Sequence, residues 1–140
     1  MDMNIFVHYE LGIPHIDEEH RKILELTNFV EDFFMKGEKD KAYEYLMELC
    51  AYLSGHMESE EKLMEEAGFP FITYHRVKHK EINVSLAKLR EDFFSHHTSY
   101  KALTTALSLL ILDHIDKYDR QYVDYFKKLP EQKSDIVGVE

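Results

Sequence analysis

The stretch His56-Met57-Glu58-Ser59-Glu60-Glu61 sets an imidazole and a carboxylate four residues apart inside an otherwise helical run. Four steps of ~100° return to within about 40° of the starting direction, so His56 and Glu60 project from one helix face, one turn apart. His75 and His79 repeat this spacing later in the chain. The two pairs can meet only if their helices pack side by side with those faces inward, and a metal ion is what would hold them there.

Working outward from this stretch, apolar residues recur at three- and four-residue steps, the mark of amphipathic helices. Asp17 is the expected N-cap of a first helix carrying Ile23, Leu24, Leu26, Val30, Phe33 and Phe34, with His20 in its first turns and Gly37 as its stop. A second should start near Lys39 or Asp40. It carries Tyr43, Leu46, Leu49, Leu53, His56, Glu60 and Met64 on one side and stops before Gly68 and Pro70.

Pro70 suits the entrance to a third helix with Phe71, Tyr74, His75, Ile82, Leu86, Leu89 and Phe93 inside. The polar run 95–99 reads as a loop before a fourth, which bears Leu103, Leu107, Leu110, Ile111 and His114 and is ended by Pro130. No strand signal competes. The pattern predicts an all-α protein, an antiparallel up-down-up-down four-helix bundle with an N-terminal arm. Its expected divisions are an arm over 1–16, the bundle over about 17–129 and a tail over 130–140, all in a single domain.

Length and charge limit what such a bundle does. The chain has 140 residues and a net charge of −10, with acidic residues spread throughout. Nucleic acid and anionic membrane both need clustered Lys and Arg, so neither is an expected partner, and no partner protein is evident. Cys50, the single cysteine, cannot form an internal disulfide, which fits a reducing compartment. Met1-Asp2-Met3-Asn4 leads into no apolar stretch of signal-peptide length. The run Ala106 to Leu112 is far short of the ~20 residues of a membrane span. The expected location is the cytoplasm.

The nine histidines separate by position. His8, His15, His96 and His97 fall in the arm or loops and read as solvated or capping residues. His20, His56, His75, His79 and His114 fall on or near apolar stripes. Antiparallel geometry brings these five to one end of the bundle, because His20 and His75 start their helices while His56 and His114 come late in theirs.

Taken together, His20, His56-x3-Glu60, His75-x3-His79 and His114-x4-Asp119 resemble the hemerythrin family over nearly the whole chain. Supporting phrases are Gly12-Ile13-Pro14-His15-Ile16-Asp17 before His20, Glu60-Glu61 leading to Met64, Phe69-Pro70 before His75, and His114-Ile115 leading to Asp119. The resemblance implies a cofactor of two non-heme iron ions with an oxo or hydroxo bridge. His75, His79 and His114 would bind one iron, His20 and His56 the other, and Glu60 and Asp119 would bridge them. One position is then left open for dioxygen, with nitric oxide or other small anions as further ligands. Imidazole and carboxylate donors are compatible with iron and less decisive against zinc or manganese.

The function implied is reversible dioxygen binding by a carrier, store or delivery protein rather than an enzyme. The alternative is a nitric-oxide- or peroxide-handling di-iron enzyme on the same scaffold. Leu24, Leu53, Leu110 and Ile111 are the expected lining of the oxygen pocket. Ferritin-like di-iron bundles use Glu-x-x-His motifs, and no histidine here has a glutamate three residues before it. The chain departs from the bacterial pattern at His8, near the position of a usual tryptophan, and at Met57, Lys78 and Leu110. None is a ligand; the changes bear on pocket shape and solvent access.

One spacing does not suit a regular helix. His114 and Asp119 are five apart, and five α-helical steps turn the direction by ~140°, so the two would point to nearly opposite sides. Either a π-type bulge between Ile115 and Tyr118 brings the carboxylate around, or the helix ends and Asp119 arrives from a turn.

Overall fold

The computed structural model describes residues 9–130 and Gly138. The expected arm therefore lies partly outside the described residues, His8 included, as does most of the expected tail. Four helical rods form an antiparallel bundle: α1 (Pro14–Met35), α2 (Lys39–Ala67), α3 (Ile72–Phe94), and a fourth rod made of α4 (Tyr100–His114), a π-helical turn (Ile115–Asp119) and α5 (Arg120–Lys127). No strand occurs among the described residues, and no described helix is long and apolar enough to cross a membrane.

The first helix begins three residues before Asp17, the expected N-cap. Pro14 takes its first turn, where a missing N–H costs nothing and the fixed φ is already helical. Asp17, inside the helix, instead turns its carboxylate back on the arm, accepting from the Leu11 N–H at 2.8 Å and the Gly12 N–H at 3.0 Å. Gly12 sits at φ 95°, a conformation that an L side chain rarely adopts. From the other side the Lys127 ammonium donates to the Leu11 carbonyl. Leu11 and Ile13 are buried by this pinning, whereas His15, expected in the arm, lies exposed in the first turn of α1.

At the far end of α2, Gly68 takes a left-handed φ of 72°, and the Phe69 N–H reaches back to the Met64 carbonyl at 2.9 Å. That closure turns the chain into α3. Pro70 stands in the turn itself, so α3 starts two residues later than the proline suggests. Phe71 and Tyr74, expected inside, are 62% and 49% exposed. Tyr74 precedes His75 by one residue and so lies ~100° around the helix from that buried side chain. Both rings pack along the edge of the bundle, Phe71 against Phe69 and Tyr74 against Tyr118. At the start of α4, the Ser99 hydroxyl accepts from the Ala102 N–H at 3.1 Å.

The two ends of the bundle differ in chemistry. Val30, Leu46, Leu49, Leu86, Leu103 and Leu107 are buried in the apolar core between them. One end is closed by aromatic rings, with Phe93 5.3 Å from Phe34 and 5.8 Å from Tyr43, and Phe34 6.4 Å from Tyr100. The other holds the five stripe histidines, all buried. The antiparallel alternation puts the starts of α1 and α3 beside the late turns of α2 and α4.

The fourth rod takes the first of the two courses open to it. Through Ile115–Asp119 the backbone stays helical but takes up one extra residue, and Asp119 comes around to the buried side that His114 faces. Their side chains meet at 2.9 Å. Tyr122, Val123 and Phe126 of α5 stay buried beyond the turn.

A π-turn that absorbs one residue predicts which deletions the protein tolerates. Deleting exposed Lys117 leaves His114 and Asp119 four apart, the spacing that an unbroken α-helix places on one face. The variant should fold and melt within roughly 5 °C of the parent, a difference of about 1 kcal/mol for a domain of this size. Deleting exposed Lys80 from α3 instead rotates Ile82, Leu86, Leu89 and Phe93 by ~100° away from the core and should prevent folding. Thermal melts followed by circular dichroism compare the two; equal damage would refute the extra-residue account.

Candidate metal centre

Each rod contributes to one buried cluster. His20 comes from the second turn of α1, His56 and Glu60 from successive turns of α2, His75 and His79 from the first turns of α3, His114 from the end of α4, and Asp119 from the π-turn. All seven are buried. The structure brings together every side chain that the sequence singles out as a metal ligand.

The imidazole Nε2 atoms converge on the two carboxylates. Asp119 Oδ1 lies 3.1 Å from His75 Nε2 and 2.9 Å from His114 Nε2, while its Oδ2 lies 3.1 Å from His20 Nε2. Glu60 Oε1 lies 3.3 Å from Nε2 of both His56 and His79. Two donor sets result. One contains His75, His79, His114, Glu60 and Asp119, the other His20, His56, Glu60 and Asp119, and within each set the donor atoms all lie within 4.8 Å of one another. The carboxylates belong to both.

This donor set fits metal. The Nε2 atoms of His20, His75, His79 and His114, together with Glu60 Oε1 and Asp119 Oδ1, are buried and have no hydrogen-bond partner. An unsatisfied buried polar group costs about 1–3 kcal/mol, and charged groups cost more. Concentrating such atoms at one point without a cation to bind would be a severe penalty for a marginally stable fold.

Side chains around the cluster hold the rings in place. His56 Nδ1 is 2.9 Å from Glu19 Oε2, and His79 Nδ1 is 3.0 Å from Glu61 Oε2. Arg76 donates its Nε–H to Glu61 at 3.2 Å and an NH2 proton to Glu65 at 3.1 Å. The buried Tyr122 hydroxyl donates to Glu60 Oε2, and its ring stands edge-on to His75 at 5.4 Å. Sequence reasoning did not pick out Glu19, Glu61 or Tyr122 as site residues. A signal was available for each: Glu19 and Glu61 adjoin ligands, and Tyr122 follows Asp119 by three residues, on the same face of the resumed α-helix.

Opposite charges shift the protonation of these groups in the metal-free chain. Burial would lower His56, but the Glu60 charge and the hydrogen bond to Glu19 carry it from 6.5 up to about 10. Burial likewise opposes protonation of His20 and His79, and their carboxylate partners outweigh it and raise both. Burial would raise Glu60, yet the surrounding imidazoles hold it well below the usual carboxylate range. Asp119 is also depressed, because His114 and His20 overcome its burial and the nearby Glu60 charge. Burial and the Glu60 and Asp119 charges push Tyr122 well above its ordinary value, so its hydroxyl stays protonated.

A small cavity of about 20 Å³ adjoins the cluster, lined by His20, His56 and His114, both carboxylates, and Ile23, Leu53, Met57, Ile82, Leu110, Ile111 and Ile115. His75 and His79 do not line it. Leu53, Leu110 and Ile111 stand where the sequence places a pocket lining; Leu24 does not. It is buried in the core, and Ile23, ~100° around α1, takes the cavity wall in its place. Outside, between α3 and α4, a second pocket of about 200 Å³ shares Ile82, Leu110 and His114 with the inner cavity. The shared residues form the partition between them.

Comparison with known proteins agrees with this geometry. The family model for the hemerythrin HHE cation binding domain matches residues 11–126. A bacteriohemerythrin of Stenotrophomonas maltophilia is 32% identical over 117 residues, covering 84% of this chain and 76% of its own length. That of Clostridium acetobutylicum is 27% identical over 122 residues, covering 83% of this chain and 95% of its own. Among solved structures, a hemerythrin with a leucine-to-tyrosine substitution superposes with a TM-score of 0.71, is 22% identical, and covers 81% of this chain and 87% of that one. That likeness speaks for the fold. The match in sequence runs from the pinned end of the arm to the last buried aromatic of α5 and takes in every side chain of the cluster: the chain belongs to the hemerythrin family.

Proposed function

We propose that the cluster holds two non-heme iron ions and that the chain binds dioxygen reversibly, as a carrier, store or delivery protein. The observation that carries this reading is the pair of overlapping donor sets with Glu60 and Asp119 common to both. A single ion would not need two carboxylates that each face imidazoles from several rods. Imidazole and carboxylate donors without thiolate suit iron. In this reading His75, His79 and His114 hold one ion, His20 and His56 the other, and the carboxylates bridge. The two-histidine set has one donor fewer, and both of its imidazoles line the cavity.

Bound iron would supply the electrons that dioxygen takes up on binding and returns on release. The chain's own residues supply position and dryness. Space for about one small molecule is what the cavity offers, and its walls away from the ligands are aliphatic side chains and Met57. Such walls cannot hydrogen-bond to water and so keep it from competing for the open position. Tyr122, held protonated, only donates to Glu60 and thereby fixes that carboxylate's orientation. Apart from the ligands themselves, the cavity walls carry no acid, base or nucleophile, which favours binding over turnover.

Anaerobic loading with ferrous iron, followed by air and then argon, tests the reading in the visible spectrum. A charge-transfer band that appears with oxygen and fades under argon is the expected result. Irreversible bleaching with turnover of nitric oxide or peroxide would instead make the protein an enzyme, and a protein that takes up no iron would overturn the assignment altogether.

Access and metal each yield a further expectation. Replacing Leu110 by Ala removes part of the partition between the inner cavity and the outer pocket. The oxygen-dependent band should then decay faster, while melting shifts by less than the ~2–5 kcal/mol cost of a fully buried truncation, because Leu110 is only half-buried. An unchanged decay rate in the loaded variant would show that Leu110 does not guard the site. Chelation should lower the melting temperature, since ligand binding energy is also folding energy, and His56→Ala or His79→Ala should lose metal and stability together.

The metal-free protein should also show a stability maximum bounded on both sides. Glu60 and Asp119 have depressed pKa values, so their contribution is present above their ordinary 4.5 and 3.8 and is lost as pH falls through the lower folded-state values. His56 is raised, so its contribution is complete below 6.5 and is lost as pH climbs through about 10. Urea melts across pH would check both slopes; a flat profile between pH 6.5 and 10 would remove the His56 contribution.

A further inference from the structure

The two donor sets are braced unequally, and the difference lies in groups that touch no metal position. Resting on the two-ion reading above, we infer that Glu19 is the positioning residue of the two-histidine subsite and controls the affinity of that subsite separately from the other. A carboxylate can only accept, so at 2.9 Å from Glu19 Oε2 the His56 Nδ1 must carry the proton. Once the ring gives up its other proton to bind a metal, that tautomer leaves the Nε2 lone pair free on the side that faces Glu60 and the centre. Glu19 therefore selects both the tautomer and the ring orientation of His56.

Among the described residues, no other side chain accepts a hydrogen bond from an Nδ1 of that subsite. His20, its other imidazole, has a buried Nδ1 with no hydrogen-bond partner, so it is positioned by packing and by its contact with His56, ring centroids 4.9 Å apart. The three-histidine subsite is different. There Glu61 braces His79, but Glu61 also accepts from Arg76, which divides its charge between a guanidinium and an imidazole. Glu19 has no such ion pair with a lysine or arginine among the described residues, and its hydrogen bond goes to His56. An undivided carboxylate makes the imidazole a stronger donor than a shared one. The subsite with fewer imidazoles thus has the stronger brace.

The connectivity adds a mechanical reason. Glu19 and His20 are consecutive in α1, and one residue braces the α2 ligand while the next is itself a ligand. A shift of α1 against α2 would disturb both donors of this subsite at once. The three-histidine set has its brace within the α2–α3 pair and does not depend on α1 for its imidazoles.

Anaerobic titration with ferrous iron alone, read by competition with a chromophoric chelator and by metal analysis, tests this. The parent should take up two ions. Glu19→Ala should bind one ion as the parent does and the other 10–100-fold more weakly, the typical loss when a carboxylate behind a metal-bound histidine is removed. Glu19→Gln keeps an acceptor for the Nδ1 proton and should recover most of that affinity. A cooperative melt of metal-free Glu19→Ala with the parent's helical circular dichroism would show that folding is intact, its midpoint being somewhat lower because the hydrogen bond to His56 is lost. Glu61→Ala should weaken the opposite step. If the parent takes up two ions and Glu19→Ala leaves both steps unchanged, or weakens both equally, the subsite-specific role falls while the two-ion reading stands. If the parent takes up fewer than two ions, the two-ion reading fails and this inference with it.

Discussion

The structure depends on keeping two carboxylates ionised where water does not reach. Glu60 and Asp119 are almost completely buried, and an uncompensated charge there would cost several kcal/mol. Compensation comes from every rod. Asp119 meets imidazoles from α1, α3 and α4, while Glu60 meets imidazoles from α1, α2 and α3 and the phenol of α5. No pair of rods could satisfy either carboxylate, so the requirement acts as a set of cross-links that fixes how all four pack at this end. Metal affinity and bundle geometry therefore answer to the same residues.

The opposite end is held by different means. Phe34, Tyr43, Phe93 and Tyr100 interlock there by area and ring geometry, with no buried charge to balance. Between the two ends runs an ordinary aliphatic core. The division lets one half of the molecule supply stability without metal while the other accepts polar atoms that a core would normally reject.

How much of this was legible in the sequence follows from the kind of signal each feature leaves. Four-residue spacing reports a shared helical face directly, so His56, Glu60, His75 and His79 were readable, and the five-residue step from His114 to Asp119 revealed the π-turn by failing to fit. The helix stops at Gly37 and Gly68 were equally plain. Boundaries set by tertiary contact were not. Asp17 has the composition of an N-cap but serves the arm, because Leu11 and Gly12 present their N–H groups to it. Phe71 and Tyr74 are apolar enough for an interior yet lie at an edge, where neighbouring rings cover them in part. Glu19 and Glu61 look like solvated surface acids until the partner rods are in place. Leu24 and Ile23 are adjacent and chemically alike, and only the rotation of α1 decides which of them faces the cavity.

The contact between Lys127 and Leu11 places the beginning of α1 and the end of α5 together, on the side of the molecule where the histidines gather. A tag, dye or fused protein attached to either flank would stand on the same side of the molecule as the histidine cluster, with its bulk and charge near the buried donors. The loop 95–99 emerges at the other end of α3, beside the aromatic closure. For tethering the molecule to an electrode or bead with its histidine end facing solution, that loop is the handle the architecture provides.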